Sequence, residues 1–362
     1  MGRVTLNGAE SRTTATATPV SPTVVGGADC RAGHYGLVIH TRTLVALTAV
    51  VAVAACSGDG KSTGASATSL PASAAVQPLT GKAAPDGLPN RPVLVVKVDN
   101  SAGARPQVGL SAADLVVEEL VEGGLTRLAV MYYSALPRAV APVRSVRTSD
   151  IGIAASTGGV LVASGGARRV LTTIHKAGLT VVTEGARGFS RDRSRRAPYN
   201  VVVDPTKLMA KVAEVDPPAQ PYLPWASDEA KLPPGASASS VTVRFSAAHT
   251  TRWDWSGARW RRVDDPAAEG DRFMPDNLLV LRVAIRDAGY KDPAGNPVPE
   301  TVLTGSGDAI LLTKGQSIEA RWSKPGADRP LAFTDLAGTS LRIPPGRTWI
   351  ELVPKTGDVT VR

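Results

Sequence analysis

Cysteine and histidine are scarce and no hydrophobic run is long, and each shortage closes off a class of protein. The 362 residues hold two cysteines, Cys30 and Cys56, and four histidines, of which only His175 and His249 lie beyond residue 55. Those two stand alone, without a Cys partner or a spacing such as H-E-x-x-H, so no metal site and no cofactor is expected. A Ser-His-Asp or Cys-His device meets the same shortage, because His175 falls on an ordinary amphipathic helix and Cys56 has another use. The longest apolar run, Leu44 to Ala55, has 12 residues. A helix that spans a bilayer takes about 20.

That short run has the layout of a secretory h-region: Arg42 precedes it and Val53-Ala54-Ala55-Cys56 closes it. Two small residues followed by Cys match the bacterial lipobox, in which the Cys sulfur takes diacylglycerol and, after cleavage, belongs to the first residue. Cys56 is therefore the expected lipidation site, and the membrane is the first expected partner. Residues 1–37 show no apolar periodicity and lie too far from the run to be its charged end. They are expected to be either sequence upstream of a true start near Val38, since bacterial start codons can otherwise encode Val, or a long disordered n-region. Residues 1–55 are set apart from the fold, Cys30 with them, and one lipidated cysteine leaves no disulfide within the mature chain.

Of the 41 Lys and Arg and the 32 Asp and Glu, four and two precede Cys56, so the mature chain carries +7. This moderate excess favours an anionic neighbour such as lipid headgroups, an anionic wall polymer or a phosphorylated ligand. Nucleic acid is disfavoured by an extracytoplasmic location.

Ser57 to Gln77 is mostly Ser, Ala, Gly and Thr, too poor in large apolar residues to order itself, and residues 56–77 read as a disordered tether. Residues 78–215 read as an α/β domain with a mixed sheet. Val93 to Val98 is a buried strand ending in the Asp99-Asn100 loop. Asp114 to Tyr133 fits either a helix with Ser111 and Asp114 as a capping box or a hairpin turning at Gly123-Gly124. Val116, Val117 and Val121 favour the hairpin, which puts Glu118 and Glu122 on one side and Glu119 on the other. Ser149 caps a short helix through Ala154. Val160 to Ala163, Ala167 to Lys176 and Leu179 to Thr183 read as strand, helix and strand joined by a parallel crossover. A Pro-rich stretch, residues 216–240, reads as a linker. From Val241 onward only short strand-like runs follow, so residues 241–362 form a mainly β domain. All six Trp lie at or beyond Trp225 and are expected in sheet packing.

The loops are rich in arginine. Guanidinium is planar, always charged and suited to a bidentate grip on phosphate or carboxylate. Open α/β sheets bind ligands outside the carboxyl ends of their strands, where these loops lie. The expected ligand site comprises Asp99, Asn100, Arg105, Gln107, Arg127, Arg144, Arg147, Arg191, Asp192, Arg195 and Asn200. At least three guanidiniums should surround one cleft. The competing reading is a solvated basic face with structural Arg to Glu pairs.

The same segments carry a resemblance. Pro78-Leu79-Thr80-Gly81, Val98-Asp99-Asn100, Ala104 to Leu110, Val121 to Arg127, Pro142 to Arg147 and Arg191 to Arg195 resemble the YerB-like bacterial lipoproteins. So do Gly305 to Ala309, Lys314-Gly315, Trp322 and Pro345 to Ile350 in the β region. The match covers about residues 78 to 354. It implies two domains on a lipid tether and supplies no activity. Tyr199 stands where the family usually has His, so no proton-transfer role carries over to that position.

The leading reading is a membrane-anchored binding or accessory protein for an anionic cell-envelope ligand. An enzymatic alternative is a metal-assisted phosphoryl or glycopolymer transferase, with Asp192 and Glu119 or Glu122 as its carboxylates. The order strand, Thr126-Arg127, strand and Arg144 to Asp150 resembles the LytR-CpsA-Psr glycopolymer transferases in pattern, although their Arg-Asp motif is absent at Arg144 to Arg147. A third reading is an interaction scaffold whose β domain recruits an envelope protein.

Overall fold

The computed structural model describes residues 75–227 and 232–362. Cys56, the apolar run, the start near Val38 and most of the tether lie outside the described residues, as does part of the Pro-rich stretch.

In the first half the β-branched runs form β1 (Leu94–Asp99), β2 (Leu115–Leu120), β3 (Thr126–Tyr132), β4 (Val160–Ala163) and β5 (Thr180–Thr183). With them go α1 (Asp150–Ala154), α2 (Arg168–Lys176) and a ribbon of β6 (Phe189–Arg191) and β7 (Val201–Val203). The ambiguous Asp114 to Tyr133 segment is a hairpin, antiparallel from Leu115↔Met131 to Leu120↔Thr126. β4 and β5 run parallel across α2, which ends at Gly178 in the left-handed region (φ +79°), as a helix-terminating glycine does. Ser149 precedes α1, but its hydroxyl accepts from the Thr301 amide (2.9 Å) instead of capping the helix.

The second half is strand after strand: β8 (Ala236–Ser237), β9 (Ser240–Arg244), β10 (Thr250–Trp255), β11 (Trp260–Arg262), β12 (Asn277–Lys291), β13 (Pro297–Val302), β14 (Gly305–Thr313), β15 (Gln316–Lys324), β16 (Ala332–Asp335), β17 (Thr348–Pro354) and β18 (Asp358–Val361). An α/β first half and a mainly β second half are thus both present.

The two halves share one mixed sheet, in the order β16-β15-β14-β12-β17-β2-β3-β1-β4-β5. The junction is β17, which lies parallel to β12 on one side and to β2 on the other. Every residue of β17 is buried, as expected of a parallel strand covered on both faces. Its register sets Glu351 opposite Glu118 and Leu352 opposite Glu119.

Alternation along the strands gives the sheet two apolar faces. One, with Val95, Val117 and Met131, packs on α1 and α2 through Ile153, Val170 and Ile174. The other, with Val96, Val116, Leu128 and Trp349, packs on the small sheet β11-β10-β9-β18 through Val241, Val243, Trp253 and Trp260. The same period sends Lys97, Asp99, Glu119 and Arg127 to the helix face. Asn100, Glu118, Thr126 and Glu351 go to the small-sheet face.

Candidate functional site

On the helix face, charge meets charge. Lys97 Nζ lies 2.6 Å from Glu119 and 2.6 Å from Asp150, with all three side chains fully buried. At the sheet edge beside them, Arg127 donates to Glu122 (2.7 Å), Arg147 Nε to the other Glu122 oxygen (2.9 Å) and Arg144 to Asp99 (2.6 Å). Burial raises the Glu122 carboxyl, but Arg147 and Arg127 outweigh it and bring its pKa down to about 2. Three of the expected guanidiniums are thus each occupied by a carboxylate, Arg127 and Arg147 by Glu122 and Arg144 by Asp99.

Glu122 lies on the side of Glu119, contrary to the hairpin reading that grouped it with Glu118. β2 ends at Leu120, and the chain then turns through Glu122–Gly124, with Gly123 at φ +70° and Gly124 at φ +71°. The period of two ends with the strand.

The Arg-rich loop is a separate place. Arg191 is paired with Glu184 (2.6 and 2.9 Å) and donates to Asn200 (3.0 Å). Arg195 fastens the loop to the Pro106 carbonyl (2.6 Å) and pairs with Asp192 (3.2 Å), which also accepts from Ser194. Gln107 is a buried brace that donates to the Asp99 carbonyl (2.7 Å) and to Asn100 Oδ1 (3.2 Å).

On the opposite face a cavity of about 250 Å³ lies between the loop after β1, the β9–β10 connection and the turn after β11. Its lining includes Ser101, Arg105, His249, Arg252, Arg262 and Asp264. Asp264 is the one acid in this lining; its contact with Arg252 is 3.7 Å long, with both side chains well exposed, a geometry worth little. The Ser101 hydroxyl is buried with no hydrogen-bond partner among the described residues. An anion here would meet cations on several sides, and the Ser101 hydroxyl could serve it only by turning towards the cavity.

Next to the cavity is a carboxylate held by neutral and cationic donors. Glu118 Oε1 accepts from Asn100 Nδ2 (2.9 Å), Thr126 Oγ1 (2.8 Å) and Thr251 Oγ1 (3.1 Å), and lies 2.7 Å from His249 Nε2. Asn100 Oδ1 in turn accepts from Arg262 (3.0 Å), whose guanidinium lies over the Trp349 ring. Burial raises the Glu118 carboxyl, yet Arg262 and the hydrogen bonds from His249 and Thr126 bring its pKa down to about 2. Glu118 is a fixed negative charge at neutral pH.

Of the expected site, this cavity thus gathers Asn100 and Arg105, with Gln107 behind them. His249, Arg252 and Arg262 come from the second half and escaped the sequence reading, in which His249 stood alone. One signal was available: His249, Thr251 and Trp253 share a parity, which puts His249 on the inward side of its hairpin.

Two family models match the chain. The N-terminal domain model of "Protein of unknown function (DUF3048)" matches residues 79–217, and the C-terminal domain model matches residues 241–350. The Bacillus subtilis (strain 168) protein named "Putative lipoprotein YerB" is 28% identical over 290 residues, which is 76% of this chain and 86% of that protein. A crystal structure of the YerB protein from Bacillus subtilis shares the fold with a TM-score of 0.66 at 22% identity, covering 79% of this chain and 99% of that one.

Proposed function

Because the chain belongs to the YerB-like DUF3048 family, we propose that it is a lipoprotein held outside the cytoplasm by lipid on Cys56, binding an anionic group of a cell-envelope ligand. Its site is the cavity beside the Asn100 to Arg105 loop, and Arg105, Arg252 and Arg262 grip the anion. The carrying observation is that Arg105 and Arg252 in that lining have no close carboxylate partner among the described residues, Arg252 lying 3.7 Å from Asp264, while Arg262 answers the buried Glu118 behind them, beside an unpartnered Ser101 hydroxyl. The Arg127, Arg144 and Arg147 cluster is less suited, because Glu122 and Asp99 already answer its charge. Among the described residues no helix is long and apolar enough to cross a membrane. The ligand class is a phosphate-bearing wall polymer or another phosphorylated envelope molecule.

Calorimetric titration with inorganic phosphate and with a polyol phosphate tests this reading. Losing one charge-assisted hydrogen bond costs about 1.5–3 kcal/mol, so Arg105→Ala should weaken binding roughly 10- to 100-fold. Equal affinity in the variant and the wild type would refute the assignment of the cavity.

A further inference from the structure

We propose that the cavity is also catalytic, hydrolysing a phosphate ester with His249 as the base that activates water. This inference rests on the reading of the cavity as an anion site. Among the described residues, the close polar contacts of the imidazole all run through Nε2, to Glu118, Thr126 and Thr251, with the Asn100 amide nitrogen 3.5 Å away. An ionised carboxylate can only accept, so the nitrogen 2.7 Å from it carries the proton of the neutral ring. That leaves the lone pair on Nδ1, which makes no hydrogen bond among the described residues, on a ring that lines the cavity. Phe245 stands edge-on to the ring at 5.8 Å and helps to hold its plane.

A lone pair facing a bound anion is a poor contact for a protein that only binds. A water between the two turns it into a useful one, because water can donate to Nδ1 while its oxygen faces the phosphorus. In the step that follows, the water oxygen bonds to phosphorus and its proton passes to Nδ1. The phosphorus–oxygen bond to the alcohol breaks on the far side of phosphorus, where the alkoxide takes a proton from solvent water, and Nδ1 releases its own proton to the hydroxide so formed, leaving an alcohol and a phosphate. Arg105, Arg252 and Arg262 take the non-bridging oxygens as charge builds on them. Glu118 is a positioning residue: it fixes the tautomer and offsets the imidazolium charge.

The test uses the full lipidated chain in detergent, with p-nitrophenyl phosphate and bis(p-nitrophenyl) phosphate as probes and phosphate binding measured in parallel. The wild type should turn over at least one probe. His249→Ala should lower kcat by about 10²- to 10⁴-fold and recover part of it with added imidazole, a rescue that a merely structural role would not give. Glu118→Gln should lower kcat with little change in KM, and if that variant fails to fold, the imidazole rescue decides. Phosphate binding without turnover overturns the catalytic proposal and leaves the binding reading standing. Loss of both overturns both, and undiminished turnover in His249→Ala overturns the role of the base.

Discussion

Glu351 and Glu118 face each other across β17 and β2, both fully buried, and such a pair cannot hold two charges. Glu118 keeps the charge, for the reasons given above. Glu351 is pushed well above the usual carboxyl range, first by burial and then by the charge on Glu118. Its Oε1 accepts from Trp253 Nε1 at 2.7 Å, while Oε2 has no hydrogen-bond partner among the described residues; we assign the proton to Oε2, where it can be donated towards Glu118. The folded chain thus keeps a proton that the unfolded chain releases near pH 4.5. Stability from this group is complete below that pH and is lost as pH rises from there through the folded pKa. One proton of difference amounts to about 1.4 kcal/mol per pH unit. Gln has the shape of the protonated acid and does not titrate. The stability of Glu351→Gln relative to wild type should therefore climb as pH rises above about 4.5, with a slope of at most about 1.4 kcal/mol per pH unit until the folded carboxyl itself ionises. Urea unfolding followed by Trp fluorescence at a series of pH values measures it, since Trp253 and Trp349 lie in the same core. Parallel stability curves for the two proteins would show that Glu351 is ionised in the folded chain and would refute the argument.

Lys97→Met should cost about 3–5 kcal/mol, because it leaves Glu119 and Asp150 buried without their cation; denaturant melts check this, and a loss under 1 kcal/mol would count against the triad. Arg191→Ala, by contrast, breaks a half-exposed pair with Glu184 and should cost about 1 kcal/mol or less in the same assay. Metabolic labelling with a fatty-acid analogue should mark the wild type and not Cys56→Ser, which should leave the membrane fraction; unchanged labelling would sink the lipid anchor.

Local features of the fold were legible because they are written locally. Val93 to Val98 is β-branched and bounded by Pro92 and Asp99, Gly123-Gly124 turns the hairpin, and Gly178 stops α2. The shared sheet was not legible, because the neighbours of a parallel strand are chosen by packing rather than by a turn. Nothing in Thr348 to Pro354 names β2 as a partner, so the Glu118–Glu351 pair and the approach of His249 across 131 positions were hidden. The arginines could be counted but not paired. Glu122 captures Arg127 and Arg147 only because the strand ends at Leu120 and the turn carries the side chain to their face. Asn100 and Arg105 could be grouped from sequence because the loop after the first strand opens at the carboxyl edge of the sheet; that they hold a ligand is our proposal.

The central claim is that the cavity beside Asn100 and Arg105 holds the anion. A crystal structure soaked with selenate, located by its anomalous signal, tests it most directly. The account predicts a selenate within hydrogen-bond distance of Arg105 and of Arg252 or Arg262, with the Ser101 hydroxyl turned towards it. Selenate bound at Arg144 and Arg147 instead, with the cavity empty, would contradict it.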